Sequence, residues 1–318
     1  MRERRSVYLR RRATALGVVA VLALGAGAAA GGGGGGDAPG ARDRAARPAT
    51  AVRRPPPELP GGGRRIFPDR RVVAFYGAPQ ARELGALGIG TPDQAAARLA
   101  RQARHNARGT RPVLPAFELL AVIANRDAGA DGLYRTRQPD AVVRRYLRAA
   151  RRHGALLILD IQPGHGDFLA EARHLAKWLR EPDVGIALDP EWHTPGAVPG
   201  TVIGSVSAGK VNEVARYVAD IVRRNRLPEK LFVVHQFTEG MVQGKPYVAR
   251  PPGLAVTFNV DGFGTRAAKV SKYRLFTRQN RRAGFHDGFK LFYEEDTGLM
   301  PPRRVLRLHP PPDLVVYE

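Results

Sequence analysis

From residue 72 onward, short apolar runs alternate with longer stretches of helical period. Residues 72–76, 113–118, 156–160, 185–189, 231–236, 254–259, 289–293 and 314–317 read as strands. Helices are expected from Thr91-Pro92-Asp93 onward and over 140–153, 167–180, 211–225, 265–282 and 303–308. Thr91 suits an N-cap, Pro92 a first helical position and Gly154 a stop. Alternation sharpens two of the strands. Gly185, Ala187 and Asp189 share one face and oppose Ile186 and Leu188. Ala255, Thr257, Asn259 and Asp261 oppose Leu254, Val256, Phe258 and Val260. A small polar face backed by a bulky apolar one suits a barrel interior wrapped by helices. Eight strands alternating with helical segments predict an α/β fold of the (β/α)8 TIM-like barrel type over residues 71–318. An open doubly wound sheet would announce itself with a Gly-rich phosphate turn, but Gly77-Ala78-Pro79-Gln80 follows the first strand.

The sequence ahead of residue 71 changes this picture. Arg2, Arg4, Arg5, Arg10, Arg11 and Arg12 precede an apolar run over residues 13–30, which ends in three alanines and a hexaglycine. Residues 1–30 therefore read as a signal peptide or an uncleaved N-terminal anchor. Residues 31–70, rich in Gly, Pro and Arg, read as a disordered linker. The expected location is outside the cytoplasm, secreted or held at the cell envelope. The net charge is +22 and no cysteine is present, so disulfides and thiol chemistry are excluded. An anionic envelope polymer is a candidate partner for so basic a chain. No nucleic-acid module is recognisable, and a membrane contact is expected only through the N-terminal segment.

Candidate chemistry gathers where a barrel keeps its active site, at the C-terminal ends of the strands. Glu118, Asp160, Asp189, Glu191, Asp261 and Glu294 lie there, with Tyr76, Gln162, Trp192, His193, His235, Gln236 and Asn259. Acids are costly to bury without partners, so several at one mouth point to chemistry. Asp189 and Glu191, two residues apart, are expected on one side of the strand exit. One would be a general acid and the other an ionised stabiliser, with Asp160 tuning them. The remaining polar residues, with Trp192 and Tyr76 as stacking surfaces, are expected to bind substrate.

The stretch Gly185-Ile186-Ala187-Leu188-Asp189-Pro190-Glu191-Trp192 resembles the fourth-strand motif D-G-x-D-x-D-x-E of the chitinase-type barrel glycosidases. The resemblance implies that Glu191 protonates the leaving group and that Asp189 supports the substrate. Val184 and Ala187 stand where the motif has its first two Asp. A D-x-E pair also occurs in the lysozyme-like barrels that cleave peptidoglycan. The expected function is thus an exported glycoside hydrolase-like protein acting on an envelope or extracellular polysaccharide, without cofactor or metal. Two alternatives stand beside it. One is a non-catalytic glycan-binding barrel. The other is a metal-dependent hydrolase or deacetylase using Asp160, His165, Glu191 and His193, although neither H-x-H nor H-E-x-x-H occurs.

Overall fold

The computed structural model describes residues 55–107 and 111–318. The expected signal segment and most of the expected linker lie outside the described residues. Eight parallel strands form the barrel: β1 (Arg71–Gly77), β2 (Val113–Ala124), β3 (Leu156–Ile161), β4 (Val184–Leu188), β5 (Lys230–Gln236), β6 (Leu254–Val260), β7 (His286–Leu291) and β8 (Leu314–Tyr317). Each pairs in parallel with the next, and β8 pairs with β1, which closes the ring through β1 and β2. This is the predicted (β/α)8 barrel. Strand β2 runs six residues beyond its predicted end and shifts register between Leu120 and Val122. Its extension pairs antiparallel with Arg135–Arg137.

Helices α1 (Pro92–Asn106), α2 (Asp140–Arg152), α3 (Phe168–His174), α4 (Ala176–Leu179), α5 (Ala208–Arg224), α6 (Arg266–Ala283) and α7 (Pro302–Val305) connect most of the strands. Thr91 and Gln94 close a capping box on α1, and Asp167, Ser207 and Thr265 cap α3, α5 and α6. The helix expected over 167–180 is two pieces meeting at Leu175. Between β5 and β6 the described chain forms only short 3-10 turns and a two-residue strand.

Strand alternation divides the core in two. Ile186, Leu188, Phe232, Val234, Val256 and Phe258 point outward into the layer under the helices. Val72, Ala74, Leu114, Ala116, Ile158, Ala187, Val233, Ala255 and Val316 fill the barrel. Leu59, Ile66 and Phe67 belong to that inner cluster, so the packed chain starts ahead of the boundary expected at residue 71. Glu229, just before β5, accepts hydrogen bonds from the amides of Ile66 and Phe67 at 2.6 and 3.1 Å. Arg64 donates to the carbonyls of Arg226 and Leu227. The few apolar residues of an otherwise Gly- and Pro-rich segment thereby cover the N-terminal end of the barrel.

This packing makes Ile66→Ala a core truncation. It should cost about 2–5 kcal/mol in urea denaturation, whereas the same change in a free tether would leave the midpoint unmoved. A second test concerns Asp287, buried on β7 and accepting a hydrogen bond from Asn280 of α6 at 2.7 Å. Burial pushes its carboxyl up to about 6, against the effect of Asn280. The folded state therefore holds the proton more tightly than the unfolded chain, and this group's contribution to stability falls as pH rises from about 4 to about 6. Asp287→Asn should stabilise the protein relative to wild type above that window and match it below, as read by thermal melts across pH.

Candidate active site

Polar inward-facing side chains stand on six of the eight strands, and the residues that follow β4 and β8 extend them. Tyr76, Glu118, Asp160, His235, Asn259 and Lys290 are buried, and Glu318 follows directly on β8. Asp189 follows directly on β4, and Asp261 on β6; both are buried. Below this layer the inner face is mainly small or aliphatic, so the polar groups rest on a dry floor. Space for them is made by glycine: a Cβ at Gly288 would approach the Asn259 side-chain oxygen to 2.8 Å.

His235 organises the layer. Its Nδ1 lies 2.9 Å from Asp261 Oδ2, and its Nε2 lies 2.8 Å from Glu118 Oε1 and 3.9 Å from Asp160 Oδ2. Burial disfavours the imidazolium, but Glu118, Asp261 and Asp189 outweigh it and hold the ring well above the usual histidine range. Asp160 moves the same way for a different reason. Burial raises its carboxyl well above the usual range, Asp189 and Glu118 add to this, and His235 opposes it. Both shifts favour a proton, on the ring and on the Asp160 carboxyl, and so work against an excess of negative charge. The other cation is Lys290. Its Nζ lies 2.7 Å from Glu318 Oε2, 3.3 Å from Asp261 Oδ2 and 3.5 Å from the centre of the Tyr76 ring.

The exit of β4 is fixed by the loop that returns to it. Pro190–Trp192 forms a 3-10 turn, and Gly204 donates to the Glu191 carbonyl at 2.7 Å. A Cβ at Gly204 would fall 2.6 Å or less from the carbonyl oxygens of Pro190, Glu191 and His193, so only glycine fits this contact. Strand alternation ends at Leu188, so spacing alone does not put Asp189 and Glu191 on one side. The charge of Asp189 acts on Asp160 and His235, whereas that of Glu191 acts on Lys272 of α6. Lys272 donates to the Asp261 carbonyl at 3.1 Å, and burial holds its amine down at about 8, with Lys269 adding to this and Asp261 and Glu191 opposing.

The expected site residues divide accordingly. Glu118, Asp160, His235, Asn259 and Asp261 meet around the imidazole. Gln162 joins them indirectly, accepting from the Ala124 amide and donating to the Tyr76 hydroxyl. Tyr76 is a partner of Lys290, and Trp192 is buried against Ala124. Three of the expected residues are placed apart from this group. Glu294 is exposed and ion-paired with Arg82, because β7 ends at Leu291 and the chain has turned outward. Gln236 accepts from Lys245 and donates to the Thr238 carbonyl, since it alternates with His235 and faces the other way. His193 spends its Nδ1 on the Ser205 carbonyl. His165 bonds the Ala197 carbonyl through Nε2, so the alternative metal set built on these two histidines is not assembled. Lys290 and Glu318 were missed; Lys290 alternates with Phe289 and Leu291 and shares the face of Gly288, which carries the signal for the lysine.

No family model matches the chain, and no curated protein matches it. Among solved structures the chain is similar to a sialic acid aldolase from Ruminococcus gnavus, at 10% identity, covering 78% of this chain and 68% of that one with a TM-score of 0.40. It is similar to a GH18 chitinase from Flavobacterium johnsoniae at 9% identity, 78% and 87% coverage and a TM-score of 0.41. A GH18 chitinase from Pseudoalteromonas aurantia gives 12%, 78%, 93% and 0.40. The barrel assignment rests on the strand pairing itself.

Removing the Lys290 charge tests the balance described above. Lys290→Met should cost about 3–5 kcal/mol at pH 7, because it strands buried carboxylates. An unmoved midpoint in denaturant titrations would mean that the lysine charge is not what balances these carboxylates.

Proposed function

We propose that this protein is an exported barrel hydrolase that cleaves an envelope or extracellular polysaccharide by carboxylate acid–base catalysis. The observation that carries this reading is the buried pair Asp160 and Asp189 at the ends of adjacent strands, the charge of Asp189 adding to burial in raising the proton affinity of Asp160. Paired carboxyls whose surroundings drive their proton affinities apart are what acid–base work on a neutral substrate needs. A glycosidic oxygen leaves poorly until it is protonated, and the sugar left behind develops positive charge. Glu191, buried on the turn just past β4, is the proton donor to the leaving oxygen. Asp189 faces the developing cation. Asp160 beside it tunes its charge, and His235 and Lys290 hold the surrounding acids in place.

Export is supported by the basic, apolar and small-residue succession at the start of the chain. An anionic envelope polymer as partner is supported by a groove along α6 and α7 lined by Arg266, Arg274, Arg278, Arg304 and Arg307. The test is hydrolysis of chitin, peptidoglycan and neutral glycan oligomers. Glu191→Gln should lower turnover about 10²–10⁴-fold with little change in glycan binding. Equal turnover by wild type and variant removes Glu191 from the chemistry. Binding without cleavage by wild type, over long incubation, makes the protein a glycan-binding barrel instead.

A further inference from the structure

We infer that Glu118, Asp160 and His235 form a binding site for one divalent transition-metal ion of the zinc type, at the middle of β2 and near the C-terminal ends of β3 and β5. The inference goes beyond the hydrolase reading and does not depend on it. Each of the three residues offers a donor atom, and these atoms all lie within 4.8 Å of one another. Donors on a common zinc ion at about 2.0–2.2 Å are separated by about 3–3.5 Å. The distances from His235 Nε2, 2.8 Å to Glu118 and 3.9 Å to Asp160, bracket that value.

A second observation comes from the oxygens. Both carboxylate oxygens of Asp160 and Glu118 Oε2 are buried and have no hydrogen-bond partner. Leaving such atoms unmatched is costly, and a shared cation would satisfy them. The imidazole is already positioned for the task. Asp261 takes the Nδ1 hydrogen, which fixes the ring and leaves Nε2 as the ligand atom. The cation then stands where the Nε2 proton otherwise bridges to Glu118.

Charge and ligand type agree. Two carboxylates balance a dication beside a neutral imidazole, and Asp261 is balanced by Lys290. One nitrogen and several oxygens suit zinc, manganese or ferrous iron better than copper(I), which prefers sulfur. Three protein ligands leave a position open to water or to a substrate oxygen.

The experiment uses the full chain, stripped with a chelator and titrated with Zn²⁺ by calorimetry. Wild type should bind one equivalent with a dissociation constant of about 1 µM or tighter. Folded His235→Gln and Asp160→Asn variants should each lose at least about tenfold in affinity. His153→Gln, a change at an exposed histidine, should bind like wild type. Should either site variant fail to fold by circular dichroism, X-ray absorption on zinc-loaded wild type decides: one imidazole nitrogen with oxygen donors supports the site. Absence of binding at about 100 µM Zn²⁺, undiminished binding in the folded variants, or a shell with no histidine or several overturns it. Glycan hydrolysis is scored separately on metal-free protein, so failure of one reading leaves the other measurable.

Discussion

The barrel's upper layer depends on one constraint: several carboxylates sit in a buried volume and their charge must be balanced there. Glu118, Asp160, Asp189 and Asp261 are all essentially inaccessible to water. Ionised together in a medium of low dielectric, they would repel one another at large cost. Three devices answer this. The His235 ring touches two of the acids and its proton affinity is raised by them, Lys290 takes Asp261 and Glu318, and burial favours the proton on Asp160. Removing any one of these shifts the load to the others, so the residues behave as one unit.

What lies beneath explains why such a layer can persist. A ring of aliphatic and small residues, from Val72 and Ala74 round to Val316, gives the polar groups a rigid base with no competing solvent. Small residues admit the larger polar ones: Ala187 lies below Asp189 on the inner face of β4, and Gly288 lies beside Asn259. At the opposite end the N-terminal segment closes the barrel through Leu59, Ile66 and Phe67. The polar layer thus stands above an apolar floor, in keeping with the general placement of barrel active sites.

Much of this was legible in the sequence, and the rest was hidden for identifiable reasons. The alternation in β4 and β6 predicts which face lines the barrel, because period two is a local property, and Ala187 and Ala255 fall inside while Leu188 and Phe258 fall outside. The acids of β2, β3 and β6 could be named because strand ends are marked by the apolar runs before them. Glu294 was misplaced because β7 begins and ends earlier than its apolar run suggests; His286 and Asp287 belong to the strand. Lys290 was passed over because a lysine at a strand end reads as solvated, and only the ring closure brings it against Asp261 and Tyr76. The packing of Ile66 and Phe67 was obscured by the composition around them. Their role depends on Glu229, which is remote in sequence and adjacent only once the barrel exists.

The pair that first drew attention in the sequence, Asp189 and Glu191, is divided by the turn at Pro190. Asp189 belongs to the charge-balanced layer and raises the proton affinity of Asp160, while Glu191 lies on the turn that leaves it and acts on Lys272. That division suits two roles better than a symmetric pair would. An acid embedded in the buried network can keep a fixed charge, and one on the turn can exchange its proton with a bound molecule. The same logic reaches Asp160. A proton on its carboxyl and a divalent cation shared with Glu118 and His235 are two answers to one surplus of negative charge, and they exclude each other. Whichever occupies the layer sets the charge that Asp189 meets, and so couples the deepest groups of the barrel to the residues at its mouth.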